Sequence, residues 1–186
     1  MHTGAISAGQ LLVATQPGRS GYFDRSVVLL IEHNHEGTVG VCLGNVSEFP
    51  PSAGLGHFQP HLSPPQSLFE GGPVNSDVVI ALGKPASEES PPPGWERITG
   101  DIGLVDLQFP EELLESSFSA LRAFIGLSAW APGQLEGELI RGSWFRTGVR
   151  ADDVFGDPGG LWRRVLRRMG GGPSRWSTWT EEPASN

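Results

Sequence analysis

A run of polar residues near position 34 is the densest set of groups in the sequence that could perform acid–base or metal chemistry. The run is Glu32-His33-Asn34-His35-Glu36. Alternate side chains of an extended chain point to one side, so His33 and His35 would face the same way and could share a metal ion. Two imidazoles are too few for such a site, and solvated turn histidines are far commoner than a third ligand from His57 or His61. We therefore predict neither a metal nor a cofactor.

The familiar catalytic signatures are missing from the sequence. No Gly-Lys-Ser or Gly-Lys-Thr triplet is present to cradle a phosphate, and Ser20 lacks the glycine spacing of a hydrolase nucleophile. Cys42 lies in an apolar run without a basic neighbour that could lower the pKa of its thiol. Glu136 and Glu138 would diverge by about 200° on a helix, so they do not form a catalytic carboxylate pair. These absences favour a protein that is not an enzyme.

Six polar residues of the sequence are poorly explained by core packing, which does not require acids or amides. We take these six residues, together with Asn45, Gly71, Gly72 and Trp130, as a candidate binding surface. Its members are Asp24, Arg25, Glu32, His33, Asn45, Gly71, Gly72, Trp130, Gln134 and Glu136. The paired glycines would let a ligand approach backbone amides, and the turn before Gln134 would expose the unpaired N–H groups of a helix start. The alternative is that Glu136 caps its own helix and Trp130 fills the core.

The elements that would position these residues are mainly strands in the first half of the chain and helices in the second. Strands are predicted at residues 11–14, 26–32, 38–43, 67–70, 78–82, 103–107 and 143–146. Helices are predicted at residues 110–126, 134–141 and 160–169. The first of these helices rests on apolar residues at helical spacing and on a terminal Gly126. Residues 50–65 are rich in Pro, Gly, Ser and His and predict a long loop that is functional or mobile.

The last predicted helix has one apolar face and one arginine face. The arginines are Arg163, Arg164, Arg167 and Arg168. At 100° per residue they fill one arc of the helix, and the apolar residues fill the other. Such a face is most often a solvated surface, but it is also the chain's best candidate for binding an anion, including nucleic acid.

Composition sets the limits of the fold and of its partners. The chain has 186 residues, 26 glycines, 16 prolines and one cysteine, with a net charge of −8. We predict one domain over residues 1–170, a flexible tail over residues 171–186, and a monomer. The acidic charge disfavours nucleic acid except at the arginine face. The longest apolar run, residues 27–31, is far too short to cross a membrane, so we predict a cytoplasmic protein.

Several short stretches form a recognisable combination. They are Gly9-Gln10-Leu11-Leu12-Val13-Ala14, Phe23-Asp24-Arg25-Ser26-Val27, Gly71-Gly72-Pro73-Val74, Trp130-Ala131-Pro132-Gly133-Gln134-Leu135-Glu136, Gly142-Ser143-Trp144 and Leu161-Trp162. Over about residues 9–170 the chain resembles the YqgE/AlgH family of bacterial proteins. The resemblance implies an α+β fold, with a branched, mostly antiparallel sheet that closes into a pseudo-barrel and helices packed outside. It implies no established activity, although some members are labelled transcriptional regulators.

Three classes of function follow from these observations. We favour a non-catalytic binding or regulatory module with an unknown protein or small-molecule partner, because the sequence assembles no nucleophile with a base. A DNA-binding transcriptional regulator is the second class, with the arginine face as its contact. A small-molecule enzyme with a site near the Gly71-Gly72 loop is the third and weakest.

Overall fold

A branched, mostly antiparallel sheet is the frame of the molecule. The computed structural model describes residues 4–18, 21–49 and 55–179, and nine strands lie in that part of the chain. They are β1 (Gln10–Ala14), β2 (Val27–Asn34), β3 (Gly37–Cys42), β4 (Leu68–Glu70), β5 (Val74–Pro85), β6 (Trp95–Thr99), β7 (Ile102–Val105), β8 (Phe118–Trp130) and β9 (Trp144–Gly148). Their order is β6-β7-β5-β8-β3-β2-β1-β9, with β4 as a branch that pairs in parallel with β8. The sheet curls into a half-barrel.

Short helices flank this sheet. They are α1 (Glu111–Ser117), α2 (Gln134–Ile140), α3 (Ala151–Phe155), α4 (Leu161–Met169) and α5 (Gly171–Ser174), and further 3-10 turns lie at Gly21–Phe23, Gln59–His61 and Arg175–Thr178. The α+β class and the branched, mostly antiparallel sheet expected from the sequence are confirmed.

The helix predicted at residues 110–126 is wrong beyond its first two turns. Only Glu111–Ser117 is helical, and Phe118–Trp130 is the long central strand β8. This strand pairs with β5 along most of its length and with β4 and β3 as well. A strand covered on both faces carries a nearly continuous apolar run, and that run also fits helical spacing. Gly126 has φ of 74° inside the strand, so it does not end a helix.

Helix α4 packs against the β1–β3 part of the sheet, as its amphipathic pattern predicts. Its buried residues are Leu161, Trp162, Val165 and Leu166, which join a core cluster with β1, β2 and β3. The indole of Trp162 donates a hydrogen bond of 2.8 Å to the carbonyl of Ala14. Burying each such side chain contributes roughly 1.5–3 kcal/mol, so this helix is firmly attached to the sheet.

Residues 55–65, the described part of the predicted loop at 50–65, pack against the core. Leu55, Phe58 and Leu62 are buried in a second cluster with α1 and β8. The buried side chain of Arg122 in β8 donates to the carbonyl of Pro64 at 2.7 Å and to that of Gly156 at 3.0 Å. Burial lowers the pKa of the Arg122 guanidinium to about 10. This arginine therefore joins the described part of the loop to the segment after α3.

The chain continues to pack after the predicted domain boundary. Residues 171–178 form α5 and a 3-10 turn beside α4, and Ser177 is buried. Trp176 packs against the same core cluster as α4. The boundary predicted at residue 170 thus falls within a packed segment. Residues 180–186 of the predicted tail lie outside the described residues.

Candidate functional site

The β2–β3 hairpin and the start of α2 bring several predicted site residues together. His33 Nε2 lies 3.9 Å from Glu136 Oε1, and His33 Nδ1 is 2.8 Å from Thr38 Oγ1. Glu32 is exposed and accepts a hydrogen bond of 2.6 Å from the side chain of Asn34. A hydroxyl, an imidazole and a carboxylate in this order resemble a hydrolase triad. Thr38 is only 3% exposed, and the three groups connect the hairpin to α2.

Glu138 is the centre of a hydrogen-bond network that the sequence analysis missed. Its Oε2 accepts from the indoles of Trp130 at 2.9 Å and Trp144 at 2.8 Å, and its Oε1 accepts from Gln134 Nε2 at 3.1 Å. Phe23 stacks on Trp130 with ring centroids 5.9 Å apart. Buried indoles need an acceptor for their N–H groups. The two tryptophans that flank this acid in the sequence were therefore the signal from which the network could have been predicted.

Helix α2 is not capped by Glu136. Its N-cap, Gly133, has φ of 77°, and no side chain hydrogen-bonds to the first turn as a cap. Gln134 Oε1 accepts from the amide of Ala131 at 3.1 Å, so this side chain holds the turn that leads into the helix. Trp130 is 4% exposed and belongs to the core, which agrees with the alternative that this residue fills the core.

Gly71 and Gly72 lie where the chain after β4 crosses the backbone of β8. A Cβ atom on Gly71 would lie 2.2 Å from the carbonyl oxygen of Gly126, and one on Gly72 would lie 2.2 Å from that of Leu127. The Gly71 carbonyl accepts from the amide of Cys42 at 2.9 Å. The space that these glycines leave is therefore filled by β8, which explains both residues without a ligand.

Most of the arginine face of α4 has partners within the chain. Arg168 forms an ion pair with Asp153 at 2.7 Å, and Arg164 donates to the carbonyls of Asp157 and Gly159. Arg163 donates to the carbonyls of Ser177 and Trp179. Arg167 is exposed. The face predicted to bind anions is thus divided among separate intramolecular contacts.

A cleft beside α4 collects predicted residues from distant parts of the sequence. This α4 cleft has a volume of about 210 Å³ and is lined by Arg25, Asn45, Arg163, the N-terminal turn of α4 and parts of β2 and β3. None of the described residues that line it is acidic. Two guanidinium groups line the cleft, and the Asp24 carboxylate beside Arg25 lies outside the lining. The cleft is therefore a favourable place for a negative charge.

Two uncharged polar groups lie on the inner wall of the α4 cleft. Burial raises the pKa of the Cys42 thiol to about 11, although the neighbouring hydroxyls of Ser128 and Ser26 oppose the shift. Cys42 is therefore largely protonated at neutral pH, and only its small thiolate fraction is nucleophilic. Ser26 is 6% exposed, and its Oγ has no hydrogen bond of normal length to any described residue.

Arg25 reaches the α4 cleft from a backbone conformation that side chains rarely adopt. Its φ is 54°, in the left-handed region that costs a non-glycine residue roughly 1–2 kcal/mol. Asp24 holds the turn, because its Oδ1 accepts from the amide of Gly18 at 2.5 Å and its Oδ2 lies 3.7 Å from Arg25 Nε. Strained residues of this kind are concentrated at binding and catalytic sites.

Neither a cluster of metal ligands nor a membrane-spanning helix is present among the described residues. Within the part of the chain that the structure describes, no three His, Cys, Asp or Glu side chains converge as metal ligands. Among the described helices, none has the length and apolar content needed to span a bilayer.

The family of the chain follows from comparison with known proteins. The family model described as AlgH-like matches residues 11–174. The chain belongs to the AlgH-like family. A UPF0301 protein of Streptomyces avermitilis is 40% identical to this AlgH-like chain over 182 residues, which cover 96% of the chain and 94% of the relative. A UPF0301 protein of Mycobacterium tuberculosis is 34% identical over 167 residues, covering 88% and 83% respectively. These names carry no established activity.

Solved structures of similar proteins agree with the AlgH-like fold. A crystal structure of a protein from Corynebacterium diphtheriae has a TM-score of 0.87 and 30% identity, and covers 96% of this chain and 95% of its own. The solution structure of AlgH from Pseudomonas aeruginosa has a TM-score of 0.68 and 20% identity, and covers 97% and 98%. The second likeness shows the fold alone.

Proposed function

We propose that this AlgH-like chain is a non-catalytic binding module that holds a small molecule bearing a phosphate or carboxylate group in the α4 cleft. The observation that carries the proposal is the convergence of Arg25 and Arg163 on one cleft whose described lining residues include no acid. A guanidinium presents a planar fork of donors that matches both kinds of oxyanion.

The start of α4 adds to the same preference. Gly160, Leu161 and Trp162 line the cleft. The Leu161 amide donates to the Pro158 carbonyl at 3.3 Å, and the N-cap Gly160 provides no side chain that could satisfy the N–H groups that follow. These groups and the helix dipole favour a negative ligand. A volume of about 210 Å³ is smaller than most drug-sized pockets, which measure roughly 300–1,000 Å³, so the ligand is a compact molecule.

The chemistry of the surrounding groups supports binding without catalysis. The Cys42 thiol beside the cleft is largely protonated at neutral pH, and the Thr38 hydroxyl is buried. The two other classes of function have less support. Arg164 and Arg168 are held by partners outside the cleft, which weakens the case for a continuous DNA-binding face, and the space at Gly71 is filled by β8, which weakens the case for an enzyme there.

A titration with inorganic phosphate tests the proposal, with amide chemical shifts as the measurement. We expect saturable shifts at Leu161 and Trp162 and near Asn45. Replacing either cleft arginine, as Arg25→Gln or Arg163→Gln, removes charge-assisted hydrogen bonds and should weaken binding about tenfold to a hundredfold.

Arg167→Gln is the matched control, because it removes an exposed arginine from the same helix outside the cleft. It should leave phosphate affinity within about twofold of the wild-type value, the size of a screened surface charge effect. The proposal fails if all three variants weaken binding equally, or if phosphate and acetate both leave the shifts around the cleft unchanged.

A further inference from the structure

Both arginines of the α4 cleft are tied to one segment that lies outside its lining. Arg163 donates from Nη1 to the carbonyl of Ser177 at 2.8 Å and from Nη2 to that of Trp179 at 2.9 Å. The guanidinium carbon of Arg25 lies 5.2 Å from the centroid of the Trp179 ring. We call residues 175–179 the C-terminal strap. Its last residue, Trp179, therefore touches arginines that come from opposite ends of the sequence.

The strap is fixed at its base and less firmly held at its tip. Ser177 is 3% exposed and Trp176 packs against the core cluster around α4, whereas Trp179 is half-buried. The tip contacts are a cation–π contact and hydrogen bonds to neutral carbonyls. The carbonyl groups satisfy the geometry of the Arg163 guanidinium but carry no opposite charge, and Arg25 forms its ion pair with Asp24. An oxyanion adds the attraction between opposite charges to its hydrogen bonds with the same group.

We infer that the C-terminal strap is a displaceable clamp that controls access to the α4 cleft. It holds the side chains of Arg25 and Arg163 in place while the cleft is empty, and releases them when an oxyanion takes over their donors. The clamp depends on the proposed function in one respect only, namely that the ligand which displaces the strap carries an oxyanion. The contacts that make it a clamp lie within the chain, so its effect on access can be measured without any ligand.

The rate at which Cys42 reacts with a small thiol reagent measures access to the cleft. Cys42 is the single cysteine of the chain and lines the cleft, so every label added to the protein reports on this position. The reagent is methyl methanethiosulfonate, and intact-mass spectrometry follows the reaction with the full chain. Trp179→Ala should increase the rate by about threefold to tenfold, the factor that corresponds to the loss of one cation–π contact.

Two further variants separate release of the strap from general destabilisation. Trp179→Phe keeps an aromatic ring over Arg25 and should restore a rate close to that of the wild type. Trp95→Ala removes a ring that contacts Arg97 in β6, which is separated from β2 by four strands of the sheet. It should leave the rate unchanged. The clamp is overturned if Trp179→Ala reacts at the wild-type rate, or if Trp95→Ala accelerates the reaction as much.

Adding inorganic phosphate to the same reactions tests the proposed function separately. Phosphate in the cleft should slow the labelling of Cys42 in the wild type and in Trp179→Ala. If Trp179→Ala reacts faster but phosphate changes neither rate, the clamp stands and the proposed oxyanion ligand is wrong. If phosphate protects Cys42 but both proteins react equally fast, the oxyanion site stands and the clamp is wrong.

Discussion

Removing the carboxylate of Glu138 should destabilise the fold far more than removing that of Glu136, two residues away on the same helix. In Glu138→Ala the indoles of Trp130 and Trp144 lose their shared acceptor, and these side chains are only 4% and 6% exposed. Each buried donor left without a partner costs about 1–3 kcal/mol. We therefore expect the free energy of unfolding to fall by about 2–6 kcal/mol.

Two matched variants, Glu138→Gln and Glu136→Ala, serve as controls for the loss of stability in Glu138→Ala. Glu138→Gln keeps an oxygen for the indoles but loses the negative charge, and should cost about 1–2 kcal/mol. Glu136→Ala removes a side chain that is 46% exposed and 3.9 Å from His33, so its cost should stay below about 1 kcal/mol.

Urea-induced unfolding followed by far-UV circular dichroism measures these differences without relying on tryptophan fluorescence. A second measurement is the indole N–H region of the NMR spectrum, where two of the six tryptophan signals should move upfield in Glu138→Ala as their hydrogen bonds are lost. The account of this network is refuted if Glu138→Ala unfolds within about 0.5 kcal/mol of the wild type, the usual spread of surface substitutions.

Two other predictions concern the crossing at β8 and the buried thiol. Gly71→Ala should lower the free energy of unfolding by about 3 kcal/mol, because its Cβ would overlap the Gly126 carbonyl. Gly56→Ala places its Cβ in open space and should be nearly neutral. Equal urea midpoints for the two variants would contradict this. Because the pKa of Cys42 is raised in the fold to about 11, the unfolded chain releases the thiol proton first, and stability falls as pH rises from 9 towards 11. Over that range the wild type should lose roughly 2–3 kcal/mol more than Cys42→Ala, and parallel pH profiles for the two proteins would refute the shift.

The sequence predicts elements well where local periodicity and burial agree. Helix α4 has one apolar face and one partner surface, so its limits could be read from its pattern. Strand β8 could not be recognised in the same way, because it is largely buried between neighbouring strands and its apolar residues also fit helical spacing. Strand β6 was missed for the opposite reason. It is a largely exposed edge strand with little alternation.

The candidate site depends on contacts that no local pattern contains. Asn45 and Arg25 were predicted as binding residues and Arg163 as part of a separate arginine face, yet all three line the α4 cleft. Only the packing of α4 on the sheet brings them together. Glu138 was set aside because it diverges from Glu136 on the helix, and that geometry is also what turns it towards the two tryptophans.

The pairing of β1 with β9 determines when the fold can be completed during synthesis. β1 lies between β2 and β9, and Leu12 is opposite Arg146. When only the first half of the chain has been synthesised, β1 can pair with β2, but its other edge has no partner strand. Such an edge is a template for association with other chains. Pairings between distant residues also slow folding, to roughly milliseconds to seconds in small domains. The nascent chain thus carries a strand with one unpaired edge until β9, in the last third of the sequence, has been synthesised.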